Sequence, residues 1–184
     1  HKDFEGRAVW GKTIPLNDVD EDAHGHGSHC AGTIGGKAFG VAKKSKLVAV
    51  KVLGSDGSGS MSDVIGGVEF VVESHKKEQK EGDSKFKGST ANMSLGGGKS
   101  PSLDIAVNAA TQAGVHFAVA AGNDNQDACY YSPASAEGAV TVGATDIRDD
   151  RAYFSNYGKC VDIFAPGVDV ISVGTYSPTS SASM

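Results

Sequence analysis

Short apolar runs alternate along this chain with stretches of helical periodicity. Residues 46–53 (KLVAVKVL) form a β-branched run that predicts a strand, and residues 54–59 (GSDGSG) behind it are dense in turn formers. A helix is predicted next, with Ser62 as its N-cap and Val64, Ile65, Val68, Val71 and Val72 recurring on one face. That stripe stops at Glu73, so the charged stretch to Lys87 is expected to leave the core for solvent. Residues 89–95 read as a short buried strand running into Gly96-Gly97-Gly98. Ser100-Pro101 then opens a second helix with an inner stripe of Leu103, Ala106, Val107 and Ala110 and a stop at Gly114. Residues 115–121 are apolar almost throughout, the pattern of a strand covered on both faces. Residues 139–144, 161–164 and 168–173 supply further short strands. Strands alternating with helices predict an α/β fold, a mostly parallel sheet with helices on both faces. Ligands of such sheets gather at the carboxyl ends of the strands, where the Gly-rich loops and Gly122-Asn123 fall.

Composition narrows the functional classes. The 184 residues carry 17 Lys and Arg against 22 Asp and Glu, a formal charge of −5. Mild acidity without basic clusters argues against nucleic acid and an anionic membrane surface as partners. No apolar run approaches the roughly 20 residues that span a bilayer. Gly accounts for 25 residues with no three-residue period, which excludes a collagen-like chain and points to tight turns.

The densest chemical signal is Asp22-Ala23-His24-Gly25-His26-Gly27-Ser28-His29-Cys30-Ala31-Gly32, which holds three of the chain's six histidines. Three readings stay open. His24, His26 and His29 could be ligands of a metal-dependent hydrolase, although Ser28 stands where a bridging Asp would be needed. Alternatively His26 opens a helix of small residues and serves as a rigidly held general base. Otherwise the segment is a His-rich surface loop over a buried His29. Asn123 lies just beyond a buried strand, where its amide could stabilise an oxyanion or simply serve a turn. Ser94-Leu95-Gly96 and Gly57-Ser58-Gly59 are edges poor in side chains to which an extended peptide could add, or ordinary turns.

Taken together, HGHGSHCAGTIGG, GVAKKSKLVAVKVL, ANMSLGGGKS, FAVAAGNDNQDACYYSPAS and TVGATDIRDDRAYFSNYGKCVDIFAPG resemble the subtilisin-type serine proteases of the proteinase K branch. DFEGRAVWGKTIP further resembles the fungal vacuolar, cerevisin-type members, several of which are inhaled allergens. The resemblance implies a serine endopeptidase acting on peptides and proteins, with broad preference for apolar or aromatic residues before the cleaved bond. It implies His26 as general base and Asn123 as oxyanion donor. Ser94-Leu95-Gly96 and Ala120-Ala121-Gly122 would wall the primary specificity pocket, and Gly57-Ser58-Gly59 would pair with the substrate backbone. It implies a disulfide between Cys129 and Cys160, Cys30 as a free thiol, and a structural calcium at Asp162 with the carbonyls of Glu137 and Ala139. No cofactor is needed for the chemistry. A vacuolar or secreted location, a monomeric state and IgE as a partner of an allergen are the further expectations.

Two departures shape the reading. The family's catalytic Asp stands in a D-[TS]-G turn, and none of Asp3, Asp18, Asp20 or Asp22 is followed that way. The nucleophile belongs to a G-T-S-M-A-S phrase, of which only Ser183-Met184 is suggested. Residues 1–184 are therefore expected to be a partial, incomplete catalytic domain without the Asp turn and the Ser helix, inactive alone. The non-enzymatic alternative is an inactive relative that matters only as an antigen.

Overall fold

The computed structural model describes residues 1–82 and 84–184. It divides into two compact units, residues 1–67 with 169–184, and residues 68–168.

In the first unit, β1 (Ala8–Thr13) pairs in parallel with β2 (Leu47–Lys51), with a register irregularity between Trp10 and Lys12. The apolar pattern of β1 is weak, with Gly11 and Lys12 interrupting it, and its strand comes from pairing with β2. Between them lies helix α1 (His26–Gly35). Three glycines among its ten residues make α1 a poor helix by propensity, so its stability has to come from packing and capping. The packing is close. A Cβ placed on Gly32 would stand 2.7 Å from Val173 Cγ2, and one on Gly35 would stand 3.0 Å from Leu47 Cδ2. Val173 belongs to β9 (Ile171–Val173), which pairs antiparallel with β10 (Ser181–Ser183). Residues 168–173 were expected to extend the parallel sheet. Their partner is instead this returning strand, and the polar composition of β10 hides it from a periodicity search.

Helix α2 (Met61–Glu81) begins in the first unit and continues into the second. Its cap is Ser60 rather than Ser62: Asp63 N donates to Ser60 Oγ at 3.0 Å, and Ser60 Oγ donates to Asp63 Oδ2 at 2.6 Å. The helix also runs past Glu73. Its Lys, Gln and Glu residues are good helix formers, Lys77 pairs with Glu81 one turn on at 3.7 Å, and His75 is buried at 3% exposure against Ser89 and Phe86. The expected solvent stretch thus holds a buried anchor, and residue 83 within it lies outside the described residues.

The second unit is built on a four-stranded parallel sheet in the order β3 (Thr90–Met93), β5 (His116–Ala120), β7 (Val140–Thr145), β8 (Ile163–Pro166). Between β3 and β5 come β4 (Gly97–Gly98) and helix α3 (Pro101–Gln112). Ser100 caps α3, its hydroxyl accepting from Leu103 N, and Leu103, Val107 and Ala110 are buried along the expected stripe. Strand β4 pairs antiparallel with β6 (Tyr131–Ser132). A disulfide joins Cys129 to Cys160 across 31 residues, beside a buried cluster of Ala121, Ala128 and Ala134.

Substituting Gly32 by Ala tests the close approach of α1 to β9. Propensity alone favours Ala by about 1 kcal/mol. The overlap with Val173 costs about 1–3 kcal/mol and dominates, because Val173 is fully buried with no room to move. Gly32→Ala is expected to lower stability in urea denaturation; an unchanged or raised midpoint would contradict the packing account.

Candidate active site

In the first unit the site is the amino end of α1. Gly25 precedes it in the left-handed region, at φ 96°, and offers no side-chain cap. Asp22 supplies the cap from outside the helix. Its Oδ1 accepts from Gly25 N at 2.8 Å, and its Oδ2 accepts from Ser28 N at 2.8 Å and Ser28 Oγ at 2.7 Å. Burial pushes the Asp22 carboxyl up. Hydrogen bonds from the Ser28 hydroxyl and from the N–H groups of Gly25, Ser28 and His24 outweigh it and hold the group below its ordinary 3.8. The favourable field of the helix N-terminus acts in the same direction.

His26 is the first residue of the helix so fixed. It is half-buried, Nε2 lies 3.7 Å from Cys30 Sγ, and its ring meets His24 edge-on with 6.3 Å between centroids. His24 lies across the turn at Gly57, with Nε2 2.8 Å from where a Cβ on Gly57 would stand. That turn is held by Asp56, which accepts from Ser58 N at 2.9 Å and Ser58 Oγ at 2.8 Å. Those two bonds hold its carboxyl below the usual range. The Gly57-Ser58-Gly59 edge and His26 therefore both flank His24.

His29 faces the other way. It is 6% exposed, and its Nε2 donates to Val170 O at 2.9 Å, while Ser172 Oγ donates to His29 O at 2.8 Å. This ring ties α1 to β9, so His24, His26 and His29 do not converge as ligands. Among the described residues no group of three or more His, Cys, Asp and Glu could hold a metal ion. Ser183 is paired with Ile171 inside β10, and among the described residues no carboxylate is hydrogen-bonded to His26.

In the second unit the site lies at the carboxyl ends of two adjacent strands. The parallel register sets Met93 opposite Val119, so Ser94-Leu95-Gly96 and Ala120-Ala121-Gly122 leave the sheet side by side. No charged side chain occurs in either segment. Asn123 follows as an exposed residue after Gly122, whose φ of 104° favours glycine. Burial first, then the neighbouring Asp124 carboxylate, push the Tyr131 pKa up.

The subtilase family profile matches residues 6–184. This chain belongs to the subtilase family. It is 67% identical over 185 residues to the subtilisin-like serine protease Pen ch 18 of Penicillium rubens, covering 100% of this chain and 37% of that protein. It is 65% identical over 184 residues to cerevisin of Saccharomyces cerevisiae, covering 100% of this chain and 29% of that protein. A solved cold-adapted subtilisin-like serine proteinase superposes with a TM-score of 0.84 at 48% identity, covering 95% of this chain and 60% of that one. The chain thus spans about a third of the length of these two curated relatives.

Two polar residues of this subtilase hold the candidate site although sequence reasoning assigned neither a positioning role. Asp22 is one, visible only as the acidic residue opening the His cluster. Asn156 is the other; it is fully buried and hydrogen-bonds the loop around Asn123 from thirty residues away, which no local pattern signals. Asp162 is exposed at the foot of β8, its Oδ2 accepting from Thr141 N at 2.7 Å.

Asp22→Ala is expected to cost about 1 kcal/mol at pH 7 through loss of the cap. Because the folded pKa of Asp22 lies below the unfolded one, its contribution is complete above the unfolded value and fades as pH falls through the folded value. The gap between urea melts of the two proteins should therefore narrow as pH falls below the ordinary 3.8; a gap that stays constant with pH would contradict the charged cap.

Proposed function

We propose that this chain is the part of a subtilisin-like serine endopeptidase that supplies the general base and the oxyanion donor. His26 takes the proton of a Ser nucleophile and returns it to the leaving amine. The Asn123 amide donates to the oxygen that becomes negative in the tetrahedral intermediate. Ser94-Leu95-Gly96, Ala120-Ala121-Gly122 and Gly57-Ser58-Gly59 take the substrate as an extended strand by main-chain hydrogen bonds. The observation that carries this reading is the pairing of Met93 with Val119, which brings two uncharged segments side by side with Asn123 at the end of one. Their lack of charge supports an apolar or aromatic residue before the cleaved bond. In this reading the nucleophile and the carboxylate partner of His26 are residues other than those described: the His26 ring is bonded to neither a carboxylate nor a hydroxyl among them, and neither D-[TS]-G nor G-T-S-M-A-S occurs in residues 1–184.

Peptides and proteins are the substrates that this chemistry implies. The Cys129–Cys160 disulfide supports an oxidising route, vacuolar or secreted. No described helix is long and apolar enough to cross a membrane. Asp162, with the Glu137 and Ala139 carbonyls, is proposed to hold a structural calcium. The donors are oxygens of the kind calcium takes, and the bond from Thr141 N fixes the carboxylate.

In the full-length protein, Asn123→Ala should lower kcat on an apolar chromogenic peptide about 10²–10³-fold with little change in KM, the size known for removing the oxyanion donor of subtilisin itself. His26→Ala should lose about 10⁴–10⁶-fold, and residues 1–184 alone should give no turnover. Full activity in either variant, or serine-inhibitor-sensitive turnover by the 184-residue chain, would contradict the reading. Chelation should lower the melting temperature and added calcium restore it; a melt indifferent to both removes the calcium site.

A further inference from the structure

Asn123 poses a mechanical problem. An oxyanion donor must be held to within about half an ångström of its productive position, yet residues 123–126 are all exposed. Exposed loops of this kind are ordinarily the mobile parts of a fold. What holds this one is the side chain of Asn156. Its Nδ2 donates to Ala121 O at 2.9 Å, and its Oδ1 accepts from Asp124 N and from Gln126 N, both at 3.0 Å. Its own N–H donates to Gly122 O at 2.9 Å. These four bonds bracket residue 123 on both sides and leave Asn123 itself to face outward. Nδ2 stands too close for a Cβ on Gly122 to fit, so the glycine makes room for the clamp.

The clamp is anchored in turn. Asn156 is 0% exposed, and Ser155 before it is equally buried, its Oγ donating to Asn156 O at 2.9 Å and accepting from Ala144 N of β7 at 2.9 Å. Arg151 Nη1 adds donations to Ser155 O at 2.6 Å and to Asn125 Oδ1 at 3.0 Å. A carboxamide donates to a carbonyl through its nitrogen while its oxygen, about 2 Å away, accepts from two N–H groups, so one side chain spans both sides of the loop.

We propose that Asn156 is a positioning residue for the reaction: through the 121–126 loop it sets the place of the Asn123 amide, and it acts on catalysis only through Asn123. The inference rests on the reading of Asn123 as the oxyanion donor.

The test is a double-mutant cycle in the full-length protease, with kcat corrected for the fraction of competent sites by active-site titration. Asn156→Asp keeps the shape and replaces the donor facing Ala121 O by an oxygen; Asn156→Ser removes the clamp with a smaller side chain. In the parent background each should lower kcat about 10–100-fold, the size expected for a misplacement of an ångström, with KM changed less than about 3-fold. In the Asn123→Ala background the same substitutions should lower kcat less than about 2-fold further, since the donor they misplace is already gone. Equal losses in both backgrounds, a rise in KM with unchanged kcat, or failure of both variants to fold would assign Asn156 a purely structural part and overturn the inference. If Asn123→Ala itself leaves kcat unchanged, the oxyanion reading falls first and the inference with it.

Discussion

At Gly32 the helix α1 comes so close to β9 that a methyl group would overlap Val173, and only a residue without a side chain allows it. The rest of the first unit follows from that contact. A helix of such small residues gains little from its own propensity, so its position depends on what surrounds it. The His29 ring reaches Val170 O, and Ser172 Oγ reaches back to His29 O, fastening the helix to the strand from both partners. Asp22 satisfies the N–H groups at the other end. His26 is the first residue of a helix fixed along its length, and its backbone position is inherited from those contacts.

The second unit meets the same constraint by the same means. The two segments that leave β3 and β5 side by side are Ser, Leu, Ala and Gly, which provide no bulk to hold a loop still. Buried polar side chains replace bulk: Asn156 bonds four backbone groups around residue 123, and the disulfide closes the loop that follows. Buried polar groups of this kind are costly when unpaired and stiffening when every bond is made. Asn156 is satisfied at both ends of its carboxamide. In the second unit the proposed oxyanion donor is held by a buried residue distant in sequence, Asn156; in the first the half-buried Asp22, four residues away, caps the helix that His26 opens.

Much of this was legible before any coordinates. The runs at 46–53 and 115–121 and the stripe of α3 all correspond to elements, because strong periodicity and good capping residues coincide there. The His cluster, Asn123 and the Gly-rich edges, to which the proposed roles attach, stand out in the sequence. What stayed hidden had physical reasons. Strand β1 is interrupted by glycine and lysine and owes its form to β2; β10 is polar and exists through pairing with β9. The tail of α2 looked solvated because its one buried anchor, His75, is a polar residue among charges. Asn156 carries no local signal, since the side-chain bonds it makes reach residues 30 or more positions away.

The central claim is that His26 and Asn123 serve one acyl-transfer reaction. It is tested most directly by a crystal structure of the full-length protein treated with a peptidyl chloromethyl ketone bearing an apolar residue next to the reactive group. The account predicts a covalent bond to a ring nitrogen of His26, with the former carbonyl oxygen about 2.7–3.1 Å from Asn123 Nδ2. Alkylation of His24 or His29 instead, or an oxygen that receives no hydrogen bond from residue 123, would contradict it.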